Sequence, residues 1–347
     1  MKQHEREFFV ARIRSGIVPV SNNHATVYVH APTMIQSLEA GRLAMSAYDK
    51  ALYEGMMTQD QMEEWMIDHD LWSYEEEQRM DGIQDDIKRL RKEIYTNRDN
   101  ERLRERIRLY IRAGERGYTD LAMKKAEYTL NTCEGLALAA KYKFIIKNCC
   151  TTVDGEPYGF EDMTVDFVSS QYQTSSLSEK ELREIAREEP WKSTWSVYGK
   201  SENMLFNNKD RELTQDQKSI LIWSTMYDNI QEHLECPSEE VIKDDDVLDG
   251  WFVVQKEKRE QEKLEAEMTG ELTNEKIKNS HEVYMIADND KRKGKIEKMN
   301  NTTSAMFKKQ REALVEARGT AQQNEFFDEK IGIRAQQGQM FKNKFRK

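Results

Sequence analysis

Four times this chain sets a serine or threonine three residues ahead of a glutamate or glutamine where helical spacing begins: Thr58 with Gln61, Ser73 with Glu76, Ser178 with Glu181 and Thr214 with Gln217. In each pair the hydroxyl accepts the backbone N–H three residues on, and the longer side chain reaches back to the N–H of the cap. Two donors that a helix start leaves orphaned are then satisfied together. The middle of the chain is thereby committed to helix. Only 5 prolines and 16 glycines punctuate 347 residues, which favours long elements over turns. Because 33% of the residues are charged, apolar material is too thin for one large core, and several small cores joined by solvated helices are expected.

Between 75 and 131 the pattern sharpens. Met80, Ile83, Ile87, Leu90 and Ile94 step by three and four, the spacing of a coiled-coil seam that needs a partner helix. The polar break TNRDNER (96–102) can reverse the chain, and Leu103, Ile107 and Tyr110 then continue the spacing, so an antiparallel helical hairpin is the economical reading. A parallel dimer through the same seam is the alternative. Upstream, Thr33 is placed to cap a helix running to about Glu54 and stopped by Gly55, with Ile35, Leu38, Leu43, Ala47 and Leu52 roughly on one face.

Strand signals are few. FFVARI (8–13) and TVYVH (26–30) flank the turn-like SNNH and predict a small two-strand element, and an apolar run ending at Asp154-Gly155 predicts a β-hairpin near 142–160. The expected fold is therefore mainly α: a long helical hairpin or coiled coil, small β-hairpin elements, and a flexible, partly helical C-terminal tail. The expected regions are 1–72, a small α+β region; 73–132, the hairpin; 133–267, mainly helical; and 268–347, a basic tail.

Charge separates that tail from the rest. Residues 271–347 carry 17 Lys and Arg against 11 Asp and Glu, whereas the first 270 carry 36 against 52. An acidic body with a basic tail fits docking by the tail or shielding of the tail by the body. Phe326, Phe327, Phe341 and Phe345 are spaced along it as candidate docking anchors. No apolar run approaches the ~20 residues that span a bilayer, and MKQHEREFFVARIRSG lacks a signal peptide's apolar core. Cys133, Cys149, Cys150 and Cys236 form no CxxC pair, and free thiols in a reducing cytoplasm are expected.

Two stretches hold the densest chemistry: ELREIAREEPWKSTWSVY (181–198) and KDDDVLDGWF (243–252). Three adjacent aspartates suit a hard cation only if further oxygens complete six to eight ligands, and the calcium-loop pattern is missing. Asp246 as a helix cap, with its neighbours favouring the helix dipole, is the simpler reading; a partner-facing acidic patch is the other. Trp191 and Trp195 are four apart and fall on one face, which fits a core wedge more readily than a stacking platform. Trp191, Trp195, Trp251, Asp244 and Asp245 are accordingly the candidate partner-binding residues of the body. The histidines show no HxxxH spacing, and no GxSxG, phosphate-binding loop or GxGxxG occurs, so no catalytic residue, metal ligand or cofactor is expected. In RLRKEIYTNRDNERLRERIRLYIR (89–112) acidic residues alternate with the arginines, which favours intrahelical pairing over a phosphate track, and nucleic acid is not the expected partner.

Taken in order, RIRSGIV, APT, TQDQMEEWMIDHDLW, CEGLA, LREIAREEPWKSTW, WSTMYDNI and PSEEVIKDDDVLDGW resemble a set of proteins encoded by large contractile-tailed bacteriophages, over most of residues 8–260. The resemblance implies a role in tail and baseplate morphogenesis in the host cytoplasm. Such a protein is expected to be a tail-assembly chaperone for the tape-measure protein or another tail component, alternatively a structural baseplate or connector component, and after that a nucleic-acid-associated phage protein. It carries no functional residues with it.

Overall fold

All four capping boxes form, each hydroxyl accepting the N–H of the residue three ahead. Thr33 and Gln36 form another. The structure is a computed structural model describing residues 1–23, 25–198, 202–207 and 210–271 with positions 294, 305, 306, 309 and 313. The chain divides into two units, Met1–Trp251 and Phe252–Lys347. In chain order the elements are α1 (Gln3–Ser15), β1 (Ile17–Ser21), β2 (Thr26–His30), α2 (Met34–Tyr53), α3 (Gln59–Asp68), α4 (Tyr74–Thr96), α5 (Glu101–Ala126), α6 (Cys133–Cys149), β3 (Cys150–Thr151), α7 (Val165–Thr174), α8 (Glu179–Arg187), α9 (Trp191–Tyr198), α10 (Glu202–Leu205), α11 (Gln215–Gln231), α12 (Glu239–Lys243) and α13 (Asp245–Glu271). The fold is mainly α with a small antiparallel sheet ordered β1-β2-β3.

FFVARI, expected as a strand, lies inside α1. Glu5 accepts the backbone N–H of Lys2 at 2.6 Å, and Gly16 ends the helix at φ 66, a left-handed conformation that glycine adopts without penalty. Val10 and Ile13, three apart, supply the buried side, so the apolar residues keep a helical period and not an alternating one. The strand that pairs with β2 is the next five residues. Val18 opposes Val29 and Val20 opposes Val27. Val20, Val27 and Val29 then pack with Ile146, Cys150, Met163 and Val168 in one core.

The hairpin expected near 142–160 is much shorter. Residues 142–149 belong to α6, which Thr132 caps and whose Ile146 and Cys149 step by three into the interior. Only Cys150 and Thr151 are strand, and they pair with β2 while the turn closes from the N–H of Thr152 to the carbonyl of Glu156. This pairing ties residues 17–30 to 150–151 within the unit Met1–Trp251. Burial pushes the Cys150 thiol up to about 12, and Cys133 and Cys149 are buried free thiols beside it in class, with Cys236 exposed.

The seam of α4 finds its partner within the chain. The antiparallel α5 covers it, with Ile94, Ile107 and Ile111 buried and Ile87, Leu90 and Leu103 packed against them. The parallel dimer through this seam therefore has no free surface to use. Ile111, not Tyr110, continues the spacing; Tyr110 is exposed. At the turn end Val241 and Val247 close the same core. Here α13 presses Gly250 onto α4 so closely that an added Cβ would lie 2.1 Å from the carbonyl oxygen of Arg91 and 2.7 Å from Tyr95 Cβ. Gly250→Ala is expected to destabilise by about 1–3 kcal/mol through overpacking. An unchanged urea midpoint for that variant would show that the two helices do not approach there.

The second unit begins within α13. Residues 256–260 of this helix are exposed, and the Lys256–Glu260 pair at 4.0 Å lies among them. Val283, Tyr284, Met285, Ile286, Phe326, Phe327, Met340, Phe341 and Phe345 lie outside the described residues. Among the described residues no helix is long and apolar enough to cross a membrane.

Candidate functional site

The two stretches richest in charge and tryptophan meet each other. α12 ends at Lys243, and Asp244 takes an extended conformation. Its carboxylate accepts the N–H of Val247 at 3.4 Å and its carbonyl that of Leu248 at 2.9 Å. Asp244 therefore caps α13, two residues before the expected Asp246. The remaining aspartates turn to arginines. Asp244 receives Arg104 at 3.2 Å and also Arg108; Asp246 receives Arg108 Nε at 2.8 Å; Asp245 receives Arg187 and Asp249 receives Arg183, each at 2.7 Å. Arg183 and Arg187 lie one turn apart on α8, Arg104 and Arg108 one turn apart on α5, so two helices each present a pair of guanidiniums to one helix start.

Aromatic rings back this cluster. The Arg183 guanidinium sits 3.9 Å from the Trp223 ring centroid, and that of Arg187 5.5 Å from Tyr227. Burial opposes both charges of the Arg183–Asp249 pair. On Arg183 the carboxylates of Asp249 and Glu179 outweigh burial and raise its pKa. On Asp249 burial prevails and raises the pKa, because Arg183 and Arg91 pull it down only in part and Glu179 adds a like charge. Burial also pushes the Tyr227 hydroxyl up to about 12.

A cleft of about 650 Å³ opens over the cluster, lined by both signs of charge, with Arg112, Lys180, Glu240 and Lys243 among its walls. Its aspartates already accept charge-assisted hydrogen bonds, so a cation or a substrate proton would have to displace a guanidinium to reach them. Among the described residues no group of three or more His, Cys, Asp or Glu is arranged to hold a metal ion. The arrangement works as a clasp: it locks α5 and α8 to the N-terminus of α13, where aspartates also meet a favourable helix dipole.

The tryptophans serve the interior. Trp191 is fully buried, donates from Nε1 to Ser224 Oγ at 2.8 Å and stacks on Phe206. Trp251 is buried with its ring edge-on to His233. Trp195 is half-buried and donates to Asp228 at 2.9 Å. Of the body's candidate partner-binding residues, then, Trp191 and Trp251 offer no surface, Asp244 and Asp245 are engaged by arginines, and Trp195 alone is partly open without an arginine on it. Phe326, Phe327, Phe341 and Phe345 lie outside the described residues.

A line of exposed apolar side chains runs along α2, with its faces reversed from the expected assignment. α2 packs antiparallel on α6, from Gln36 Nε2 donating to the Asn148 carbonyl at one end to Cys133 N–H donating to the Met57 carbonyl at the other. The buried side carries small residues: Ala40 and Ala51 are buried, with Gly41, Ala44 and Ala47 half-buried between them. The large residues point outward, Met34 at 80% exposure, Ile35 and Leu38 at 71%, Met45 at 70% and Leu52 at 48%. Ala47 belongs to the packed side and the rest of the expected core face to solvent. A signal was present in the alanines at 40, 44, 47 and 51, whose helical spacing lets two backbones approach closely. No protein-family model, curated protein or solved structure matches this chain.

Proposed function

We propose that this protein is a non-catalytic assembly factor of a contractile phage tail, a chaperone that holds the tape-measure protein or another helical tail component until it is built in. The observation that carries the holding role is the outward face of α2, a line of large apolar side chains on a helix anchored from behind by α6. Exposed apolar patches of this kind mark interaction sites, and a helix with such a face matches a helical partner through anchors spaced by three and four. A tape measure is long, helical and apolar on its seams, and it must stay soluble until the tube polymerises around it. The tail context is supported by the sequence resemblance over most of residues 8–260.

The runner-up is a structural baseplate or connector component, which would use the same face permanently. Quantitative mass spectrometry of purified virions beside infected-cell lysate separates the two. The chaperone reading expects the protein in lysate and not in particles; a fixed copy number in particles would replace it with the structural one.

A further inference from the structure

The outward face of α2 is a regular seam. Ile35, Leu38, Arg42, Met45, Asp49 and Leu52 follow one another at steps of three, four, three, four and three, and all six are exposed. That is the a/d spacing of a coiled coil, with one basic and one acidic residue replacing two apolar ones. Neither Arg42 nor Asp49 has an ion-pair or hydrogen-bond partner among the described residues. Seven residues apart on one helix, they are separated by about 10.5 Å of rise and do not reach each other.

We propose that a second copy of this chain covers this face in the free protein, the two α2 helices pairing antiparallel about a two-fold axis. The inference rests on α2 being the binding face, and it adds what occupies that face before a tail component arrives. The charges decide the direction. In the antiparallel register that sets Ile35 opposite Leu52, Leu38 falls opposite Asp49 and Arg42 opposite Met45. Arg42 then lies one layer, about one helical turn, from Asp49 of the second copy, within reach of its long side chain, and symmetry makes the pair twice. A parallel pair sets Arg42 beside Arg42 and Asp49 beside Asp49, two like-charge contacts. Polar residues in such a seam fix register and orientation at a cost in stability. With fewer than three heptads, the pairing is reversible on dilution, as a cover that a client displaces must be.

The test is sedimentation equilibrium of the full chain over a range of concentrations. The mass is expected to rise from that of one chain, 40.9 kDa, toward twice that value. R42E sets a carboxylate next to Asp49 of the second copy and is expected to lose the dimer with unchanged helicity by circular dichroism, and the double variant R42E/D49R is expected to regain it. A single-chain mass at every concentration overturns the proposal, whether the chain's own tail or nothing covers the face. So does a dimer indifferent to R42E, or one that the double variant fails to restore. A monomeric wild type that still captures the tape-measure protein through α2 would overturn the dimer and leave the proposed function standing; a dimer that captures no tail component would do the reverse.

Discussion

Arg183→Ala lowers the stability of the protein by about 3–5 kcal/mol, the loss expected when one partner of a buried ion pair is removed and the other stays behind. The stranded group is Asp249, which keeps only Arg91, at 3.7 Å, where it had Arg183 at 2.7 Å. The Trp223 ring also loses the cation on its face. Replacing both partners, Arg183→Met with Asp249→Leu, is expected to cost less than Arg183→Ala alone, since no buried carboxylate is left stranded and Glu179, the other carboxylate hydrogen-bonded to Arg183, is exposed. The variant's pH dependence follows from the direction of the Asp249 shift. Burial already raises this carboxyl above its ordinary value, and losing Arg183 raises it further. A raised folded-state pKa makes the folded state the better proton binder, so the penalty is full above that pKa and is relieved as pH falls through it. The gap between wild type and Arg183→Ala therefore narrows on acidification. Urea unfolding across pH measures all of this, and a gap that widens at low pH, or a loss under about 0.5 kcal/mol as at ordinary surface sites, would show that the clasp does not hold the helices.

Trp191→Ala is the second large effect, about 3–5 kcal/mol for truncating a large buried aromatic. The indole is fully buried against Phe206, and its N–H is satisfied by Ser224, which in turn donates to the Ile220 carbonyl. Trp191→Phe keeps part of the volume and leaves Ser224 its own bond, so a smaller loss is expected. Trp195→Ala, one turn on and half-buried, is the internal control and costs less than Trp191→Ala. Equal thermal midpoints for Trp191→Ala and wild type would place the ring outside the core.

Local chemistry was legible and pairing across the fold was not. The capping boxes are complete within four residues, so their sequence is their structure, and the α4 seam with its polar break predicted its own reversal. Three aspartates in a row leave the cap ambiguous, because any of them can accept the N–H of a residue three ahead; where α12 ends selects Asp244. The arginines that meet these aspartates come from positions about 60 and 140 away in the chain, on helices whose own acidic neighbours offered a nearer partner. On α2 two stripes qualify as apolar, one of alanines and one of larger residues, and size alone favours the wrong one. What decides is that α6 approaches closely enough for only the small side chains to fit between.

The proposed holding role rests on that reversal, since it leaves the large side chains of α2 exposed. The most direct test captures the tape-measure protein from infected-cell lysate on immobilised wild type and on Met45→Glu, with both baits checked for equal melting temperature. Wild type is expected to retain the tape measure or another identified tail component, and Met45→Glu, a charge set in the middle of the exposed seam, is expected to lose it. Equal retention by the two would place the binding surface elsewhere, and retention of no tail component by either would contradict the holding role itself.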